Sequence, residues 1–379
     1  MNSSIKKSAL ILPGGGARGS YQVGVIKAIS EFMPSAFGFD ILNGTSAGAI
    51  NATVLATRAN DLNLAAQRLE HFWTTIHCHD IYRTDFRQVW KTMLRLWGSF
   101  LFGRFGLSAP KSLLDNQPMH ELLSENLKLN QIQKWIDEGQ LQGLSITASS
   151  YDTAIAKCFF QAHSSVKPWK RSRRVGLSEK ITIEHVMAST ALPFLFPAQL
   201  VGNEHYGDGG LRMTAPLSPA IHLGADRIMV IGTRDESEII PPTQPSEYPS
   251  MGSLGGYLLD TIFMDTLIAD LSRLNRINKT LSMLSAEKRE ETGLRPIQTL
   301  IIKPSVDVRE ITASHADAIP KPVQTLLKMI GGWGKDWRMP SYLLFEPAYT
   351  KNLIKLGYQD AMKQEEEIRD FFNDKESVF

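Results

Sequence analysis

The sequence predicts an α/β protein of three-layer α/β/α type, with a largely parallel central sheet and a mostly helical C-terminal region. Two observations carry that prediction. Short apolar runs recur along the chain with helical patterns between them, which is how parallel strands with covering helices read. The first two runs each end in a glycine-rich turn that opens directly into a helix.

Taken in order, Ser8 to Leu12 reads as a buried strand running into the turn Gly14–Gly19. Tyr21 to Phe32 follows as a helix, with Val23, Val25, Ile26, Ile29 and Phe32 as its apolar positions. Phe39 to Leu42 is a second short strand ending in NGTSAG, and Ala47 to Ala59 continues as a helix of small and apolar residues. Further strands are expected at Leu144–Ala148, Lys157–Ala162, Arg227–Gly232 and Ile297–Ile302. Residues 1–235 form the expected core. Residues 236–256 contain the Pro/Ser-rich IIPPTQPSEYPSMGSLGG and read as a linker or exposed loop. Residues 257–379 read as a mostly helical extension, in which Leu259, Phe263, Leu267, Leu274, Ile277 and Leu281 lie mainly three or four apart. The Ile297 strand is placed to rejoin the core sheet.

Composition narrows the class. A 379-residue chain with 43% hydrophobic and 21% charged residues can bury a large core and carries no signature of disorder. A net charge of +2 supplies no overall basic field, and no nucleic-acid module accompanies it. Two cysteines, Cys78 and Cys158, make no disulfide framework and suit a reducing compartment. Only Ala9 to Leu12 is apolar before Pro13, too short for a signal-peptide core, and no later run reaches a membrane-spanning length. The expectation is a cytoplasmic protein, with room for peripheral contact at the inner face of the membrane.

Two glycine motifs carry the chemistry. Gly14-Gly15-Gly16-Ala17-Arg18-Gly19 satisfies G-x-G-x-x-G, so its backbone can face a cofactor pyrophosphate or an oxyanion formed during acyl transfer. Asp40 lies near the spacing expected of a ribose-binding acid, though at the start of its strand rather than the end. Gly44-Thr45-Ser46-Ala47-Gly48 is G-x-S-x-G between a strand and a helix, the setting of a nucleophile elbow. Its glycines permit a sharp turn that lifts the serine hydroxyl out at the helix N-terminus. The plainer reading is a tight turn with Ser46 as a helix cap. A serine nucleophile needs a base, and none of the nine histidines carries a distinctive signature. Asp208, in Tyr206-Gly207-Asp208-Gly209-Gly210, is the better partner, because a desolvated carboxylate gains basicity. Taken alone, that segment also reads as a β-turn.

Together GGGARG, GTSAG, ASTALPFLFP and DGG, in that order over about residues 8 to 232, resemble the four landmarks of the patatin-like phospholipase family. The resemblance implies Ser46 as nucleophile and Asp208 as its sole partner. It implies Gly14, Gly15, Gly16, Ala17, Arg18 and Gly19 as an oxyanion loop, with the N–H groups of Gly15 and Gly16 as donors. Gly44, Gly48, Gly209 and Gly210 are then motif glycines, and Ala188–Pro197 packs near the dyad. No cofactor or metal is implied, and the expected substrate is a phospholipid or lysophospholipid. A dinucleotide reading leaves G-T-S-A-G and D-G-G unexplained. Arg18 either braces the loop or is a solvated charge. Two alternatives stay open: a lipid-binding regulatory protein with little turnover, and acyl transfer to an acceptor other than water. Oligomeric state is left unassigned.

Three further segments invite a role. Asp85–Leu107 is basic and aromatic, with Trp90 and Trp97 on its apolar side, and suits either a membrane interface or packing on the core. Lys167–Arg174 places Lys170 and Arg171 beside Trp169, a candidate for anionic headgroups. His77-Cys78-His79-Asp80 has metal-binding residue types, but one compact cluster without a second ligand pair reads as ordinary loop residues.

Overall fold

The computed structural model describes residues 6–33, 38–85, 112–235, 248–334 and 336–373. Strand β1 (Ser8–Leu12) is buried along its whole length, as a strand covered on both faces must be. It lies between β2 (Ile41–Thr45) and β9 (Arg227–Ile231), parallel to both, with Leu10 opposite Leu42 and Met229. Outside β2 runs β3 (Gly143–Ser150), and outside β9 runs β10 (Gln298–Ile302), each parallel to its neighbour. Beyond β3 the sheet changes direction. Strand β4 (Ala156–Ala162) is antiparallel to β3, β6 (Arg174–Ser178) is parallel to β4, and β5 (Trp169–Arg171) closes the edge. A hairpin of β7 (Gln199–Val201) and β8 (Glu204–Asp208) is held against the end of β3, where Asp208 pairs with Ala148.

The strands expected from the sequence occupy these positions, with β2 starting at Ile41 instead of Phe39. Asp40 serves the sheet and not a ribose. Its carboxylate accepts from the Ser8 N–H at 2.7 Å and pins the start of β1. The short strands β5, β6 and β7 carry no apolar run, being mostly half-buried or exposed segments with charges among them, so periodicity does not find them.

Helix α1 (Ser20–Phe32) follows the first glycine turn and α2 (Ala47–Ala56) follows the second. All ten residues of α2 are buried, which explains its run of small residues: it must pass between the sheet and α3 (Leu62–Thr75). Asn51, a polar residue in this buried helix, is fully used. It donates to the Gly19 carbonyl at 3.0 Å and to Gln22 Oε1 at 2.8 Å, and accepts from Trp73 Nε1 at 2.7 Å. Helix α4 (Ile183–Thr190) packs on β3 and β8.

The C-terminal region is built into the same core. Helix α5 (Met251–Asp260) begins inside the stretch expected as linker and runs through a π turn (Thr261–Asp265) into α6 (Thr266–Ser282). A short helix, α7 (Arg338–Leu343), precedes α8 (Pro347–Lys363), which lies along α1. The α1–α8 crossing is closed by glycines from both sides. A Cβ at Gly24 would overlap the Ile354 carbonyl, and one at Gly357 would overlap the Tyr21 carbonyl. The Tyr21 hydroxyl also donates to Asp360 on α8 at 3.2 Å.

Gly357→Ala is therefore expected to push the two helices apart and cost about 1–3 kcal/mol. Thermal unfolding measures it; an unchanged melting temperature would show that α8 can back away freely.

Candidate active site

Ser46 is the residue on which the site is built. It joins β2 to α2 with φ 55° and ψ −129°, a left-handed conformation that a side chain rarely adopts. Its neighbours explain how the strain is held. A Cβ at Gly48 would overlap the Leu12 carbonyl, so only glycine lets α2 start this close to the end of β1. The Ser46 N–H donates to Ser189 Oγ at 2.9 Å, and that hydroxyl donates to the Thr147 carbonyl at 2.7 Å. The ASTALPFLFP segment thus enters the site with the buried Ser189, which braces the turn from α4.

Asp208, at the end of β8, faces the same place. Its N–H donates to the Ala191 carbonyl at 2.8 Å, and its Oδ1 accepts from the Gly210 N–H at 2.9 Å. Gly209 is a close-approach position, since a Cβ there would overlap the Thr147 carbonyl. The other carboxyl oxygen, Oδ2, is buried with no hydrogen-bond partner among the described residues. Burial pushes the Asp208 pKa up to about 7, while the nearby Ser46 hydroxyl and the Gly210 N–H pull it down. The hydroxyl is thus close enough to act on the carboxyl, yet no well-aligned hydrogen bond to Oδ2 is formed. A buried unpartnered carboxyl oxygen is costly and calls for a role.

The glycine loop closes the third side. A Cβ on Gly14 would stand 2.8 Å from that of Ser46, so the loop lies against the serine. Gly16 has φ 55°, and a Cβ there would overlap the Tyr342 carbonyl of α7. Among the described residues no acceptor takes the N–H of Gly15 or Gly16, both of which are buried. Thr233 Oγ1 donates to the Gly14 carbonyl at 2.7 Å and Gln22 Nε2 to that of Pro13 at 2.9 Å, which occupies both carbonyls.

Arg18 is not a solvated charge. It is buried, paired with Asp260 of α5 at 2.9 Å, and donates to Ser341 Oγ at 2.6 and 2.9 Å, with the Tyr342 ring 4.0 Å from its guanidinium. Asp260 in turn accepts from the Tyr342 hydroxyl at 2.7 Å and from Arg338 at 3.0 Å. Burial opposes its ionisation, but Arg18 and the Tyr342 hydroxyl hold its carboxyl below the usual range. The glycine loop is thereby tied to α5 and α7, a link with no local signal in the sequence, because its partners lie more than two hundred residues away.

Beside Ser46 opens a narrow slot lined by Ile50, Trp73, Ile81, Met119, Phe196 and Phe345. It leaves only about 20 Å³, room for about one water. Phe263, from the π turn, lies against the glycine loop and against the turn that follows Asp208. Its ring would be overlapped by a Cβ on Gly14 and met at 3.0 Å by one on Gly210. Ser46 is 2% exposed.

The remaining expected sites fare differently. Trp90 and Trp97 lie in residues 86–111, outside the described residues. Trp169 is half-buried, its ring stacked with those of Phe160 and His222, with centroids 4.8 and 4.6 Å away. Lys170 and Arg171 are exposed beside it. His77 pairs with Glu346 at 2.7 Å, Asp80 caps the His77 N–H, and the described residues hold no cluster of three potential metal ligands.

A family model described as patatin-like phospholipase matches residues 10–221, and the chain belongs to that family. A patatin-like phospholipase domain-containing protein of Neurospora crassa is 38% identical over 93 residues, 24% of this chain; the match spans about 10% of that relative's length. The crystal structure of VipD from Legionella pneumophila aligns over 96% of this chain and 68% of its own, at TM-score 0.40 and 13% identity. A chain of the ExoU–SpcU complex from the type III secretion system of Pseudomonas aeruginosa aligns over 89% and 69%, at TM-score 0.29 and 13% identity. Family membership rests on the match over residues 10–221, not on these weak structural likenesses.

The buried Asp208 has a consequence for stability. With its folded pKa raised to about 7, the ionised form is the costly one, so stability falls as pH rises from the ordinary carboxylate range through about 7. Asp208→Asn is expected to raise the melting temperature near pH 8 and to change it less near pH 5. A gap that is equal at both pH values would contradict the raised pKa.

Proposed function

We propose that this chain is a serine acyl hydrolase acting on fatty-acyl esters of phospholipids or lysophospholipids, with Ser46 as nucleophile and Asp208 as general base. The observation that carries the reading is the unpartnered Oδ2 of Asp208, buried beside a serine in the left-handed turn of a nucleophile elbow. Ser46 Oγ attacks the ester carbonyl carbon as its proton passes to Asp208. The tetrahedral oxyanion is received by the N–H groups of Gly15 and Gly16, donors of a kind worth roughly 3–4 kcal/mol each in acyl transfer. Collapse breaks the ester bond, and protonated Asp208 returns its proton to the departing alkoxide. Water then attacks the acyl-serine, giving its proton to Asp208; the acyl–Oγ bond breaks, Asp208 returns that proton to Ser46 Oγ, and fatty acid leaves with both residues restored.

The slot supports the substrate class. Its lining is almost wholly apolar, so an acyl chain that opens it would meet hydrocarbon on its walls with the carbonyl at Ser46. No step calls for a cofactor.

Fatty-acid release from a panel of short-chain esters, lysophospholipids and diacyl phospholipids tests this. Ser46→Ala and Asp208→Asn are each expected to lower release by at least about a thousandfold while remaining folded. Because the base must be ionised, wild-type kcat/KM should fall about tenfold per pH unit below about 7. Activity surviving in Ser46→Ala would assign the nucleophile elsewhere. Met119→Trp, which fills the slot, should shift the preference toward shorter acyl chains by about tenfold; an unaltered chain-length profile would place the acyl group outside it.

A further inference from the structure

We propose that the solvent-facing side of α5 is a lipid-surface docking face, and that seating it on lipid draws Phe263 off the glycine loop. The proposal rests on the hydrolase reading for its choice of lipid as partner.

Helix α5 is apolar on both sides. From Met251 to Leu259 it contains no charged residue. Inward, Gly252, Gly256 and Leu259 are buried, and a Cβ on Gly252 would overlap the backbone of Gly332. Outward, Met251, Leu254, Tyr257 and Leu258 are 77, 43, 58 and 56% exposed, a stripe at helical spacing. A helix apolar all round is ordinarily buried, so this outer face lacks the surface it is made for.

Two features identify that surface as an anionic lipid interface. The first is chemical. Residues 248–259 and 319–334 contain Lys321 and Lys328 and no acidic side chain. These segments are joined where the Gly252 N–H donates to the Ile330 carbonyl at 2.7 Å. Exposed Tyr248 and Met329 flank the stripe, and Lys328 lies 5.2 Å from the Trp333 ring. Apolar, aromatic and basic side chains without acids are what an interfacial helix presents to headgroups. The second is continuity with the site. The last residue of α5, Asp260, holds Arg18 of the glycine loop, and three residues later Phe263 covers Gly14 and Gly210. Between α5 and α6 the chain makes a π turn, a local departure that recurs at functional positions. The element that meets lipid on its outer face therefore carries the plug on its inner end. With Ser46 buried and the slot nearly closed, an ester cannot reach the serine until that plug shifts.

The test uses the full chain and vesicles of phosphatidylcholine and phosphatidylglycerol in a three-to-one mixture. Replacing both Leu254 and Leu258 with Asp is expected to weaken vesicle flotation by about tenfold or more, with the melting temperature kept. Added vesicles should speed wild-type hydrolysis of a soluble short-chain ester about tenfold and leave the rate of the double variant where it was. Phe263→Ala should raise the vesicle-free rate toward the stimulated one. Flotation unaffected by the double substitution overturns the docking face. Docking without stimulation overturns its link to Phe263. If the substitutions instead split a dimer in gel filtration while flotation persists, the stripe is a contact between copies of this chain. A wild type that floats on vesicles but cleaves no ester contradicts the hydrolase reading and leaves the flotation result standing.

Discussion

The left-handed turn at Ser46 is the constraint on which the rest of the structure depends. A non-glycine residue at φ 55° persists only where its surroundings leave no alternative. Here β1 and α2 approach so closely that Gly48 touches the Leu12 carbonyl, and Ser189 holds the Ser46 N–H from the opposite side. The parallel strands β1, β2 and β3 then deliver three things to one edge of the sheet: the glycine loop after β1, the serine after β2, and Asp208 through the hairpin laid against β3. This is the carboxyl edge at which open α/β sheets place their ligands.

Two electrostatic choices surround that edge and oppose each other. Asp208 is left buried and half-satisfied, which raises its pKa and makes it basic at the cost of stability. Arg18 and Asp260 are buried and fully paired, with Ser341, Tyr342 and Arg338 completing their hydrogen bonds. A buried ion pair is weak evidence for stability, because desolvation consumes much of its attraction. What it does supply is position: it fixes the start of the π turn that bears Phe263 relative to the glycine loop.

Much of this is legible in the sequence. The strand–glycine–helix units around residues 8–32 and 39–59 are local patterns, since a strand period, a glycine turn and a helix period follow one another without long-range help. Ser46 and Asp208 stand out because glycine-bordered turns mark them. What stays hidden depends on distant partners. The bracing by Ser189, the burial of Arg18 and the cover of Phe263 each join residues far apart in the chain, and no local pattern encodes such pairs. The stacking of Trp169 with Phe160 and His222 is hidden for a related reason, since neither partner is its neighbour in the chain. The glycines of α5 read as part of a linker because glycine disfavours helix; tertiary packing against Gly332 and Arg338 overrides that preference.

The most direct test of the central claim is covalent labelling with an alkyl fluorophosphonate, followed by peptide mass mapping. Attack by Ser46 Oγ on phosphorus expels fluoride and leaves one phosphonyl group on the serine. The account predicts a single adduct on the peptide containing Ser46, formed more slowly below about pH 7 and suppressed in Asp208→Asn. Labelling that maps to another serine, or that proceeds at the wild-type rate without Asp208, would contradict it.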